Sequence, residues 1–168
     1  MRNYWLRMLP RKRNRQLRYP CGVIPAAIEK EVLIDAPVEV VWRVVTEPEQ
    51  IRQWFSEEAE IELRVGGKGR LKFKSGIQYF VQVEVMEPPH RFAFRWVHPE
   101  GSPAREDNSM LVEFTLAPEG GGTRLRVVES GFDKIDWSDA EKARYADDHS
   151  RGWSRFAEQL RDYVSRTR

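Results

Sequence analysis

Two side chains in "ESGFDKIDWSDAEKARYADDHSRGW" (129–153) have the right types for proton chemistry, and an indole stands near one of them. Glu129 is a carboxylate at what reads as the end of a β-strand. His149 and Trp153 lie four residues apart in what reads as a helix. Strand alternation puts Glu129 on the side of Leu125 and Val127, and a helical stripe puts His149 on the side of Trp153 and Phe156. If both registers hold, a carboxylate and an imidazole face one apolar enclosure. Burial raises the pKa of an unpaired Glu129 and lowers that of an unpaired His149, and a mutual ion pair opposes both shifts. Such a pair can act as general base and general acid. The alternative is structural: Glu129 leaves the sheet at its rim, where Ser130-Gly131 ends the strand, and His149 is a satisfied core histidine.

Those residues need elements to hold them. "IEKEVLI" (28–34) reads as a strand. "DAPVEVVWRVVTEPEQIRQWF" follows, with Pro37 in a first helical turn and an apolar stripe of Val40, Val41 and Val44. Thr46 and Glu49 have capping-box spacing, which predicts a second short helix carrying Ile51, Trp54 and Phe55. From Ala59 to Val127 apolar and polar residues alternate, with turns at "GGKG" (66–69), Ser75-Gly76, Pro88-Pro89, 98–108 and "EGGG" (119–122). That pattern predicts an antiparallel meander with one wet face, on which Arg70, Lys72, Lys74, Gln82, Glu84, Arg91, Arg95, Glu113, Arg124 and Arg126 fall. From Ala140 to Val164 the period becomes helical, and His149, Trp153, Phe156, Leu160 and Val164 share a stripe. The predicted architecture is α+β: about seven curved antiparallel strands around a long C-terminal helix. Two short helices after the first strand close one end. A sheet curled around one helix encloses more volume than the helix fills, so a cavity between them is expected.

The order of elements resembles the helix-grip fold of the START-like, or SRPBCC, superfamily. "IDAPVEVVWRVVTEPEQIRQWF" is similar to that superfamily's opening strand and helices. "GGKGRLKF", "VEVMEPPHRFAFRW", "LVEFTL" with "GGGTRLRVVESGF", and the terminal "GW…L…YV" resemble the branch named for the activator of the heat-shock protein 90 ATPase. The likeness spans about residues 28–166. It implies a domain that encloses an apolar or amphipathic small molecule, in a superfamily that also includes polyketide cyclase-like enzymes, hydroxylase subunits and co-chaperones. Fold does not fix function, so three expectations stand side by side. The first is a ligand-binding domain for a hydrophobic, lipid-like or amphipathic molecule. The second is a cyclase- or hydrolase-type enzyme using Glu129 and His149. The third is a co-chaperone-like interaction module. The expected ligand contacts are Trp54, Tyr79, Phe94, Trp96, Phe114, Glu129, His149 and Trp153, drawn from a large aromatic set that must also build the core. Gly152 costs about 1 kcal/mol against alanine in a helix. It either admits a close approach or relieves crowding beside Trp153.

Composition narrows the classes. The chain has 168 residues, 40% hydrophobic and 32% charged, which fits one domain. No apolar run approaches the roughly 20 residues that span a bilayer. The single cysteine, Cys21, permits no internal disulfide and suits a cytoplasmic location. The net charge of +2 hides seven basic and no acidic residues in 1–20, which leaves 21 basic against 26 acidic residues in the remainder. That main body is a poor phosphate-backbone binder, so no nucleic-acid partner is expected for it. Residues 1–27 read as a basic, disordered extension, with a nucleic-acid or membrane tether as the alternative, and 28–168 as the folded domain. No cofactor or metal is expected: His90, His98 and His149 lie on separate elements. "GGKG" lacks the P-loop spacing and "ESGF" is no nucleophile elbow. In "RFAFRW" alternation puts arginines and aromatics on opposite faces. A weak homodimer is left open.

Overall fold

The computed structural model describes residues 24–98 and 102–167. The basic head, Cys21 and part of the 98–108 loop lie outside these residues. The elements are β1 (Ala27–Ile34), α1 (Val38–Thr46), α2 (Pro48–Trp54), β2 (Glu58–Ile61), β3 (Lys68–Lys72), β4 (Gln78–Glu87), β5 (Arg91–His98), β6 (Met110–Glu119), β7 (Gly122–Ser130), a 3-10 turn (Phe132–Lys134) and α3 (Asp139–Arg166). The seven strands form one antiparallel sheet in the order β1-β7-β6-β5-β4-β3-β2. This is the α+β helix-grip architecture that the alternation and the final change of period predict.

The period-2 pattern does the sorting. In β6 Met110, Val112, Phe114 and Leu116 are buried while the residues between them are half-exposed. On the outer face Arg91 pairs with Glu113 at 2.7 Å and Arg126 with Glu29 at 2.7 Å. Exposed pairs like these add little stability each, but they keep the outer face wet and leave the inner face to be covered. Register shifts in β4, between Phe80 and Val81 and between Val83 and Val85, bend the sheet around α3. At its far end α3 packs flush, with Leu160 and Val164 buried.

Local chemistry departs from the sequence reading in several places. Thr46 does not cap α2. Its hydroxyl donates to the Trp42 carbonyl at 2.8 Å and closes the last turn of α1. Glu47 is the N-cap of α2, and Pro48 begins that helix, since proline needs no donor partner there and sets the helical φ. Pro37 is likewise the N-cap of α1 rather than inside it. A capping box does exist at Ser138 and Glu141, where α3 begins. Lys74 was expected on the wet face. It lies beyond the end of β3, where alternation no longer applies, and lines the pocket described below. The "GGKG" segment is a turn whose amides are used internally: Gly66 donates to Val83 O and Gly67 to Arg64 O, each at 2.8 Å. A side chain at Gly67 would collide with the carbonyls of Glu62 and Arg64.

Candidate functional site: a buried carboxylate behind an aromatic pocket

Glu129 is the penultimate residue of β7, opposite Ile28 of β1 and Val112 of β6. Alternation with Leu125 and Val127 turns it inward, and it is 0% exposed. The strand ends immediately afterwards because Gly131 adopts φ 99°, a conformation that favours glycine. Facing Glu129 are Tyr145, His149 and Trp153, successive rungs of one stripe of α3, and Trp96 of β5. Trp96 Nε1 donates to Oε1 at 2.8 Å and the Tyr145 hydroxyl to the same oxygen at 2.5 Å. Trp153 Nε1 donates to Oε2 at 2.7 Å, and His149 Nδ1 lies 3.0 Å from Oε2.

A carboxylate offers about four lone-pair sites, and all four are taken. Placing an ionised carboxylate in the interior costs several kcal/mol. A hydrogen bond to a charged group contributes about 1.5–3 kcal/mol, so four donors offset that cost. Burial pushes the Glu129 carboxyl up. The neighbouring His149 charge and the hydrogen bonds from His149, Tyr145 and Trp153 outweigh it and hold the pKa below the ordinary carboxylate value. Burial, and then the Glu129 charge, push the Tyr145 hydroxyl well above its usual range. The same two causes, in the same order, raise Tyr79. Both phenols therefore stay protonated donors.

The ionised carboxylate also fixes the imidazole. Oε2 can only accept, so Nδ1 of His149 carries a proton and donates to it. The His149 ring stacks on Tyr145 with centroids 3.8 Å apart and meets the edge of Trp96 at 5.6 Å. Its Nε2 makes no hydrogen bond among the described residues, and His149 lines a pocket.

That pocket, of about 590 Å³, opens between the end of α2, the β3–β4 hairpin, β5 and the first half of α3. Nine aromatic side chains line it. Phe55 is central, with its ring stacked on Trp153 at 5.4 Å and in edge contact with Phe156 at 4.6 Å. Trp54 is held by an Nε1 hydrogen bond to Val44 O at 2.9 Å. Ser56 also lines the pocket; it is 6% exposed, and its hydroxyl has no hydrogen-bond partner among the described residues.

Of the residues singled out from sequence, Trp54, Tyr79, Trp96, His149 and Trp153 border the pocket. Glu129 sits behind them, clamped by three of them, Trp96, His149 and Trp153, and by Tyr145. Phe94 and Phe114 do not line the pocket. Each is 3% exposed in the core beneath it, because they lie lower on the curved sheet, where α3 fits closely. The pocket also contains Ser56, Phe73, Tyr145 and Phe156. Tyr145 was findable, since it stands four residues before His149 on the same stripe. Nothing in the sequence marks Ser56.

Comparison with known proteins places the fold. A protein of Mesorhizobium loti, MLL2253, is 27% identical over 84% of this chain and 98% of its own, with a TM-score of 0.71. BH1534 of Bacillus halodurans is 29% identical over 89% and 99%, with a TM-score of 0.65. DynU16, a putative protein of the dynemicin biosynthetic locus, is 27% identical with a TM-score of 0.67. The match covers 84% of this chain but only 48% of DynU16. No curated protein matches the sequence. Residues 35–165 match the family described as Activator of Hsp90 ATPase homolog 1-like protein, and with that match over most of its length the chain belongs to this family, within the START-like helix-grip fold.

Proposed function

We propose that this protein binds a small hydrophobic or amphipathic molecule in the pocket between the sheet and α3. The observation that carries the reading is the pocket itself: about 590 Å³, lined by nine aromatic side chains, with the Ser56 hydroxyl unpartnered among the described residues. Pockets of a few hundred Å³ with apolar walls and few polar groups are the usual form of a small-molecule site. Glu129 is the scaffold of this site: it anchors Trp96, Tyr145, His149 and Trp153, and so sets the shape of the inner wall. No helix among the described residues is long and apolar enough to cross a membrane, and we place the protein in the cytoplasm on the strength of its composition. Native mass spectrometry of the freshly purified protein tests the reading. A retained small molecule, released on unfolding, is the expected result. A bare polypeptide mass, together with no thermal shift from any apolar compound in a broad panel, would remove it.

A second reading is favoured by one observation. The Glu129–His149 hydrogen bond leaves Nε2 as the ring atom without a partner among the described residues, on the pocket side. A carboxylate that orients an imidazole in this way is a common support for general acid–base catalysis. In that reading His149 moves the proton and Glu129 positions it, because all four acceptor sites of Glu129 are filled. His149→Gln that retains ligand binding but loses turnover of the bound compound is the discriminating result.

A further inference from the structure

The walls, the open space and the charges of the pocket narrow its occupant further, on the assumption that the pocket is the ligand site. Among its apolar lining residues Ile77 is the single branched aliphatic and nine are aromatic, whereas the core beneath is rich in valine, isoleucine and leucine. Alkyl chains fit aliphatic walls. Aromatic faces and edges add a preference for another π-system, worth about 0.5–1.5 kcal/mol per ring pair. Space is kept for such a guest. Gly152 sits in mid-helix with no positive φ, and a Cβ there would meet nothing nearer than Phe156 Cε2 at 3.8 Å, so no contact within the protein requires glycine. The Ser56 hydroxyl beside the pocket is buried and has no hydrogen-bond partner among the described residues.

Charge supplies the last constraint. Arg52, Lys74 and Arg155 line the pocket and form no salt bridge among the described residues, and Arg155 lies over the Phe156 ring at 5.0 Å. Of the acids there, Asp148 pairs with Arg151 at 2.6 Å, which leaves Glu57 and Glu141; Glu141 is hydrogen-bonded by Ser138 and keeps its charge. Three cations against two carboxylates leave the mouth cationic by one charge. We propose that the occupant is an aromatic anion: a multi-ring compound that places its rings against the aromatic walls and its carboxylate, or an equivalent anionic oxygen group, near Arg52, Lys74 and Arg155.

Three probes test this on the full chain. Anilinonaphthalene sulfonate is an aromatic anion, phenylnaphthylamine has the same rings without the sulfonate, and dodecanoate is an anion with an alkyl body. The sulfonate probe is expected to bind at least about tenfold more tightly than phenylnaphthylamine, a difference of about 1.4 kcal/mol, and to lose that advantage as salt is added. It is also expected to resist displacement by dodecanoate. The double variant Arg52→Glu, Lys74→Glu should erase the sulfonate's advantage. Equal binding of the two naphthalene probes, or dodecanoate binding as tightly as the sulfonate probe, overturns the aromatic-anion assignment while leaving a ligand pocket in place. Failure of all three probes to bind removes the pocket reading itself.

Discussion

Gly152 separates the demands of folding from those of the pocket, and substituting it tests both. It lies in the interior of a 28-residue helix, where glycine is about 0.8–1.0 kcal/mol worse than alanine. A methyl group there would make ordinary contact with Phe156 and strike nothing else. Gly152→Ala should therefore stabilise the fold by about 1 kcal/mol, which for a domain of this size is a rise in Tm of about 2–4 °C. Gly152→Leu keeps most of the helix gain, and its side chain leans back toward the preceding turn, over Asp148 and His149, which both line the pocket. Burying a leucine against those aromatic walls adds up to about 1.5–3 kcal/mol, so the variant should also melt above the parent. Its affinity for anilinonaphthalene sulfonate should fall by at least about tenfold. Circular-dichroism melting and fluorescence titration read the two effects separately. A Gly152→Leu protein that melts higher yet binds the probe unchanged would show that the open space at Gly152 is no part of a binding site. A Gly152→Ala protein that melts lower would refute the helix argument itself.

Other outcomes follow from the clamp and the orphan hydroxyl. Glu129→Gln puts an amide nitrogen against donors that need an acceptor and removes the charge opposite His149; breaking a buried pair of this kind should cost about 3–5 kcal/mol, read by urea unfolding. The Glu129 carboxyl titrates lower in the folded than in the unfolded chain. Its contribution is therefore complete above the ordinary carboxylate pKa and is lost as pH falls through the depressed folded value. The unfolding free energy should therefore fall less steeply with falling pH in the Glu129→Gln background, as urea unfolding at a series of pH values would show. Ser56→Ala removes a buried hydroxyl with no partner among the described residues, so it should leave the ligand-free protein as stable or stabilise it by up to about 1–3 kcal/mol, and a melting curve decides.

Much of the fold was legible because burial on one face of a sheet writes a period of two into the chain. Met110, Val112, Phe114 and Leu116 state the inner face of β6 without help from any other segment, and the change to helical spacing after Ala140 announces α3. The placement of Glu129 and His149 followed from the same two periods. What alternation could not supply was depth. Phe94, Phe114 and Trp96 share one face in sequence, yet the curvature of the sheet puts Trp96 at the pocket and the two phenylalanines beneath it. Nor could it count donors. That four of them converge on Glu129 depends on side chains from β5 and three turns of α3 meeting across the core. Lys74 and Ser56 lie just outside regular elements, where periodicity ends, and both turn out to border the pocket.

The order of elements also sets a schedule for synthesis. The sheet is complete only when β1, the first strand, pairs with β7, the last, and the helix that covers its apolar face follows every strand. At about 5–20 residues per second on the ribosome, Trp96 waits roughly 3–11 s for Trp153 to be made. During that interval a nascent chain exposes a nearly complete aromatic face with no cover. A chain cut short before the helix would keep that apolar face uncovered and should aggregate.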